Sequence, residues 1–280
     1  MSFPLCGHQD LLALLERISA SPAGAYAFFG PEHLGKRRLA EAFARRLLAY
    51  PEPQPLEGHP DIAVLDAAAT GAIEDVRAFL ERAHRTAAYG GRRVFLVDHA
   101  ESLNAAGFNA LLKDVEEPHP GVTFLFCAAQ PEALPATLRS RLVALLVRPV
   151  PTPVLRAWAE TALQVPAAWA DEALGRPGLL VRRLERPEWW EALQTHAGQL
   201  VTAARHPEPG ALVTALDAWQ KTLEGEPAPE QAWRVLLVLL ARRFSGDAAL
   251  FREARASAEA VAIAWRSLGG PLPPRLAFEW

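Results

Sequence analysis

The chain is poor in cysteine, in lysine and in long apolar runs, and each shortage removes a class of protein. Only Cys6 and Cys127 occur among its 280 residues, too few for a disulfide framework or a four-cysteine zinc site. No stretch approaches the ~20 apolar residues of a membrane-spanning helix, and no basic-then-apolar leader opens the sequence. A soluble, cytoplasmic protein is therefore expected. Lysine is confined to Lys36, Lys113 and Lys221, the other basic residues all being arginines. The net charge of −3 argues against a chain that coats nucleic acid by itself. What is present is a globular composition, half hydrophobic and 22% charged, at a length that suits two or three domains.

The most informative stretch runs from Arg93 to Leu142. Val94 to Val97 is an unbroken apolar run ending at Asp98, the pattern of a strand buried on both faces of a parallel sheet. A helix follows, with Leu103, Phe108, Leu111, Leu112 and Val115 at helical spacing and Asn104 near its start. Glu116-Glu117-Pro118 closes it, because proline cannot continue a helix. Val122 to Cys127 reads as a second buried strand, with Cys127 a small hydrophobe within it. A polar loop then leads to Ser140-Arg141. Further strands are expected at 26–29, 62–65 and 143–147, alternating with helices, and this predicts an α/β domain with a parallel five-stranded sheet.

Between the first strand and a helix with Leu39, Phe43 and Leu47 on one face lies Gly30-Pro31-Glu32-His33-Leu34-Gly35-Lys36. Strand, glycine loop and helix are the context in which backbone amides and a helix N-terminus cradle phosphates. The spacing GxxxxGK is complete, and Gly30, Gly35 and Lys36 are the candidate nucleotide-binding residues. Arg37 stands where a Ser or Thr would coordinate Mg²⁺. Asp98 ends the central strand where a P-loop ATPase keeps its Mg²⁺-associated Asp, but His99 follows in place of the Glu that orients water. Whether ATP or ADP is held without hydrolysis, or the loop is kept for its turn geometry alone, stays open. Pro51 to Pro60 reads as a surface connection and Ile73 to His84 as an amphipathic helix.

Beyond Arg148 the texture changes. Pro149, Pro151 and Pro153 form a break, and only helices are expected after it. Leu155, Trp158, Ala159 and Ala162 suit one helix. Gly175 to Gly178 is a turn that starts another through Leu179, Leu180 and Leu184. Leu, Ala and Trp-rich helices follow, at Trp189-Trp190, Leu212–Leu223, Gln231–Phe244 and Ala248–Leu268, with Trp233 to Leu240 apolar enough for a subunit contact.

Leu111-Leu112-Lys113-Asp114-Val115-Glu116-Glu117-Pro118, Leu134-Pro135-Ala136-Thr137-Leu138-Arg139-Ser140-Arg141 and Gly58-His59-Pro60-Asp61 together resemble the clamp-loader family of bacterial DNA polymerase III, in its delta-prime branch. The resemblance covers most of the first 185 residues and is only architectural afterwards. It implies a RecA-like AAA+ domain at 1–149, a helical lid at 150–186 and an all-α collar at 187–280. In that family motor subunits hydrolyse ATP, while the delta-prime type offers a Ser-Arg pair to a neighbour's ATP site; here the pair is Ser140-Arg141, with Arg141 the arginine finger. Implied partners are motor subunits of the gamma/tau type and a delta subunit through the collar, with the sliding clamp and primed DNA reached in the assembled complex and no membrane.

Departures from the motor pattern point the same way. Arg37, His99 and Ala128-Ala129 replace the hydroxyl, the Glu and a polar sensor, and Pro177-Gly178 occupies the region of the lid arginine. The four-cysteine zinc module of many members is missing from Tyr50 to Gly58, so no zinc is expected. Three other readings compete: a motor subunit that hydrolyses ATP despite Arg37 and His99, a purely structural adaptor in which Arg141 does nothing, and a direct nucleic-acid binder using Arg37, Arg38, Arg45 and Arg46. Helix spacing does not put those four arginines on one face.

Overall fold

In the computed structural model the described residues are 3–51, 54, 56–70, 73–83, 87–89 and 91–204, with Thr214 and Ala218. The helices expected from Leu212 onward, including the apolar Trp233 to Leu240 segment, lie outside the described residues apart from those two. The chain divides into two compact units, Met1–Ala167 with Gly175–Gly178, and Ala168–Leu174 with Leu179–Trp280.

The apolar runs of the first unit become five parallel strands: β1 (Ala25–Phe29), β2 (Ile62–Asp66), β3 (Arg93–Asp98), β4 (Val122–Ala128) and β5 (Val143–Leu146), in the order β2-β3-β4-β1-β5. Every residue of β1, β3 and β4 is buried, as unbroken hydrophobic strands in the middle of a covered sheet require. Period-2 alternation divides them between two layers. Ala25, Ala27 and Phe29 share one face with Phe95, Phe124 and Phe126, under α3 (Ile73–Glu81) and α4 (Ala105–Glu116). Tyr26 and Phe28 share the other with Leu96, Leu125 and Cys127, under Leu15 of α1 (Gln9–Ile18) and Leu39, Phe43 and Leu47 of α2 (Lys36–Leu47). β5 is an edge strand in which only Leu145 is buried.

Three local details set the positions of functional side chains. Asn104 caps α4, its Oδ1 accepting the Gly107 N–H at 2.8 Å, and Glu117-Pro118 ends it. The 51–60 segment is more than a surface connection: Leu56 and His59 are buried, and His59 lies edge-on to Tyr50 and Tyr89. Asp61, also buried, accepts the N–H groups of Ala88 and Tyr89 at 2.6 and 2.7 Å, tying the loop before β3 to the start of β2. α3 ends at Glu81 rather than His84, and His84 lies outside the described residues.

After the sheet, Pro151 and Pro153 open α6 (Thr152–Trp158), continued by a π-helical turn at Ala159–Leu163 in place of the single regular helix expected there. The second unit contains α7 (Ala168–Glu172), most of α8 (Pro177–Glu185) and α9 (Pro187–Ala204). Arg183 stacks over Trp169 and Trp190 at 4.0 and 5.1 Å and pairs with Glu172 at 2.8 Å. Leu184, expected on the apolar stripe, is instead among the exposed hydrophobics. Among the described residues no helix is long and apolar enough to cross a membrane.

Candidate functional site

The sequence candidates fall into two groups at opposite ends of the sheet. The first gathers at the carboxyl ends of the strands, the usual ligand crevice of an open α/β sheet. Gly30 leaves β1 so close to its neighbour that a Cβ would lie 2.3 Å from the Val147 carbonyl oxygen. Gly35 has φ +89° and caps α2, a backbone state that glycine adopts without strain. Lys36 then starts α2 and folds back over the loop, its Nζ donating to the carbonyls of Gly30 at 2.7 Å and Pro31 at 3.0 Å. Burial lowers the pKa of this ammonium, against the raising influence of Cys127, Glu101, Glu32 and Asp98.

Asp98 pairs with Asp66 in the register of β3 and β2, so two carboxylates end adjacent strands. Between them sits His99, with φ +48°. Its Nδ1 lies 3.0 Å from Asp66 Oδ1 and 3.8 Å from Asp98 Oδ2. Burial opposes charging the ring, but Asp98 and Asp66 outweigh it and raise the pKa of His99. Arg37 completes the cluster. Its Nη1 is 3.6 Å from Asp98 Oδ2 and its Nε donates to Glu41 Oε1 at 2.9 Å. Burial works against its charge too, and the bond to Glu41 with the charges of Asp98 and Asp66 prevails. Asp66 and Glu41 were not singled out from the sequence. Glu41 lies four residues after Arg37, a spacing that announces a helix pair; Asp66 ends its apolar run as Asp98 does.

The cluster is therefore already balanced. A Mg²⁺ ion at Asp98 would share that carboxylate with the Arg37 guanidinium and the His99 ring, and the hydroxyl that would complete its coordination is replaced by Arg37. The residues present do not fit a metal-bound nucleotide poised for hydrolysis. Gly178, where the lid arginine of a motor is expected, donates its N–H to the His33 carbonyl at 2.8 Å. A Cβ there would stand 3.0 Å from the His33 backbone, so any side chain at this point would press on the loop. Ala128 ends β4 fully buried and receives the Gly30 N–H on its carbonyl.

The second group lies at the other end. A short helix, α5 (Ala136–Arg139), is pinned by buried Leu138 and leads through Ser140 and Arg141 into the first residue of β5. Because β5 runs parallel to β1, with Tyr26 beside Val143 and Phe29 beside Leu146, Arg141 precedes the strand while the glycine loop follows its far end. The strand alone separates them by about 10 Å at ~3.3 Å per residue. Arg141 Nη1 donates to Thr137 O at 2.6 Å and to Ser140 Oγ at 3.0 Å. Its Nη2 lies 2.7 Å from Glu116 Oε1, at the end of α4. Ser140 Oγ donates to Thr137 O at 3.0 Å. The pairing of Glu116 with Arg141 across 25 residues brings together two motifs that the sequence shows only as separate strings.

Residues 8–151, just over half of the chain, match the family model described as DNA polymerase III, delta subunit. The DNA polymerase III subunit gamma/tau of Mycobacterium tuberculosis is 36% identical over 148 residues, which is 48% of this chain and 26% of that protein. The DNA polymerase III subunit delta' of Pseudomonas aeruginosa is 36% identical over 140 residues, 44% of this chain and 43% of that protein. The chain thus spans from about a quarter to under half the length of these curated relatives. In fold it is similar to a DNA polymerase III gamma subunit-related protein of Thermotoga maritima, with a TM-score of 0.54 at 16% identity, covering 91% of each chain. A RuvB variant of the same organism gives a TM-score of 0.52 at 18% identity, covering 96% of this chain and 84% of that one. The matched segment contains the glycine loop, the Asp98 cluster and the Ser140–Arg141 turn, and on that match the chain belongs to the DNA polymerase III delta-subunit family, within the clamp-loader group.

Proposed function

We propose that this chain is a delta-prime-type stator of the clamp loader: a subunit without ATP hydrolysis of its own that supplies Arg141, braced by Ser140, to the ATP site of a neighbouring motor subunit. One observation carries the reading. Arg141 stands at the opposite end of the sheet from Gly30, Gly35 and Lys36, beyond reach of its own loop, on an exposed turn. A guanidinium so presented suits a partner's phosphate, because it is planar, permanently charged and bidentate. Such a residue stabilises charge on a transferring phosphoryl group by about 10³–10⁵ in rate in trans-acting cases.

The Asp98 cluster supports the other half of the reading. With Arg37 and His99 beside Asp98, the loop retains turn geometry and not the parts of a hydrolytic site, whether or not ATP or ADP still binds there. The partners proposed are gamma/tau-type motor subunits and a delta subunit, joined through the collar, with the sliding clamp and primed DNA handled by the assembled complex in the cytoplasm.

The test is ATP turnover by a reconstituted loader with clamp and primed DNA, comparing wild type with Arg141→Ala and running the isolated chain beside them. Turnover at the adjoining site should fall by about 10³-fold or more, seen as one site's share missing from the single-turnover burst, with assembly intact and no turnover by the chain alone. Unchanged turnover would reduce Arg141 to a surface residue of a structural adaptor. Robust hydrolysis by the isolated chain would make this a motor subunit that tolerates Arg37 and His99.

A further inference from the structure

We infer that Glu116 is the positioning residue for Arg141: it holds the guanidinium in place so that its remaining N–H groups meet the terminal phosphate of a nucleoside triphosphate on a neighbouring subunit. The inference rests on the trans-arginine reading and deepens it by naming how the arginine is presented. Two separately anchored elements converge on the guanidinium. α4 is fixed by its Asn104 cap and by buried Leu111 and Val115, and it ends at Glu116. α5 is fixed by buried Leu138 and offers the Thr137 carbonyl.

The donor inventory favours presentation rather than concealment. Nη1 is committed to Thr137 O and Ser140 Oγ, and Nη2 meets Glu116 Oε1 through one of its two hydrogens. Nη2 carries a second hydrogen beyond the one that Glu116 can take, and among the described residues Nε has no hydrogen-bond partner, so the planar fork keeps N–H groups to offer. That fork has the spacing for a phosphate. The two side chains are 38% and 43% exposed, so solvent and a partner both reach the pair. Arginine carries long, flexible torsions, and ordering them before the partner arrives removes that cost from the encounter.

Loaders carrying Glu116→Ala, Glu116→Gln, Arg141→Ala or the double change would be compared for kcat, KM for ATP, assembly and melting temperature. Glu116→Ala should slow the adjoining site's share of the single-turnover burst roughly three- to tenfold with KM, assembly and melting temperature unchanged. Glu116→Gln should keep most of the rate, since its amide oxygen can still accept from Nη2. On the Arg141→Ala background Glu116→Ala should add nothing, because Glu116 acts only through Arg141. Wild-type turnover in Glu116→Ala beside a slow Arg141→Ala loader would overturn this inference alone. So would a double variant well below Arg141→Ala. Wild-type turnover in Arg141→Ala would sink the trans reading, and this inference with it.

Discussion

Arg37 stands beside a nucleotide-type loop, and its neighbours explain how a second cation is tolerated there. Asp98, Asp66 and Glu41 surround Arg37 and His99, so a guanidinium and an imidazole whose protonation is favoured meet three carboxylates within the cluster. The raised pKa of His99 has a consequence for stability. A folded state that holds a proton more tightly than the unfolded chain gains stability below the ordinary histidine value of about 6.5 and loses it as pH rises through the raised folded value. Thermal unfolding of wild type and His99→Asn between pH 6 and 9 should therefore show a wild-type advantage that shrinks as pH rises. An advantage that stays constant or grows would mean that the ring is neutral in the fold. His99 was legible in the sequence as the missing Glu, but its contact with Asp66 was not, because Asp66 reaches it only through the β2–β3 register.

Among the elements, the glycine loop shows how the geometry of a phosphate-binding motif can be maintained by packing. Gly30 is required because a Cβ would collide with the Val147 carbonyl, and Gly35 because its φ is +89° with nothing close by. Gly30→Ala should cost about 1–3 kcal/mol as an overpacking change, and Gly35→Ala about 1 kcal/mol as backbone strain. Denaturant midpoints measured without nucleotide check both. A neutral Gly30→Ala would show that the β1–β5 approach is looser than the packing implies. The strands were predicted to within a residue or so of their ends, since their apolar runs are continuous and their polar ends abrupt. The 51–60 segment is the opposite case: its prolines announce a surface loop, and Pro51, Gln54, Gly58 and Pro60 are exposed, while His59 is buried beside Tyr50 and Tyr89 and Leu56 in the layer with Leu39 and Phe43.

Across the sheet, a row of aromatic rings joins helix, strands and core. Phe79 meets Phe95 at 5.2 Å, Phe95 meets Phe124 at 5.5 Å, and Phe124 stacks on Phe126 at 6.4 Å between ring centres. Phe124→Ala should destabilise the first unit by about 3–5 kcal/mol, the cost of an unfilled cavity in a close-packed layer. Leu146→Ser, at an edge position that is 60% exposed, should change stability by less than about 0.5 kcal/mol. Chemical unfolding of both variants measures the contrast, and equal effects would mean that the edge is covered where the sheet shows it open. The same parallel architecture sends the glycine loop to one end and Arg141 to the other, so the separation of the two candidate sites is a property of the whole sheet.

The amino-acid order alone was enough for the α/β class, the sheet's five strands, the two candidate sites and the losses at Arg37 and His99, because each is written in local period, spacing or residue type. It also carried the motifs at 111–118 and 134–141 that mark the family. The fold decided which charges meet. Glu116 faces Arg141, Asp66 faces His99 and Gly178 closes on His33. None of these pairs is close in sequence, so only strand register and helix packing bring them within hydrogen-bonding distance.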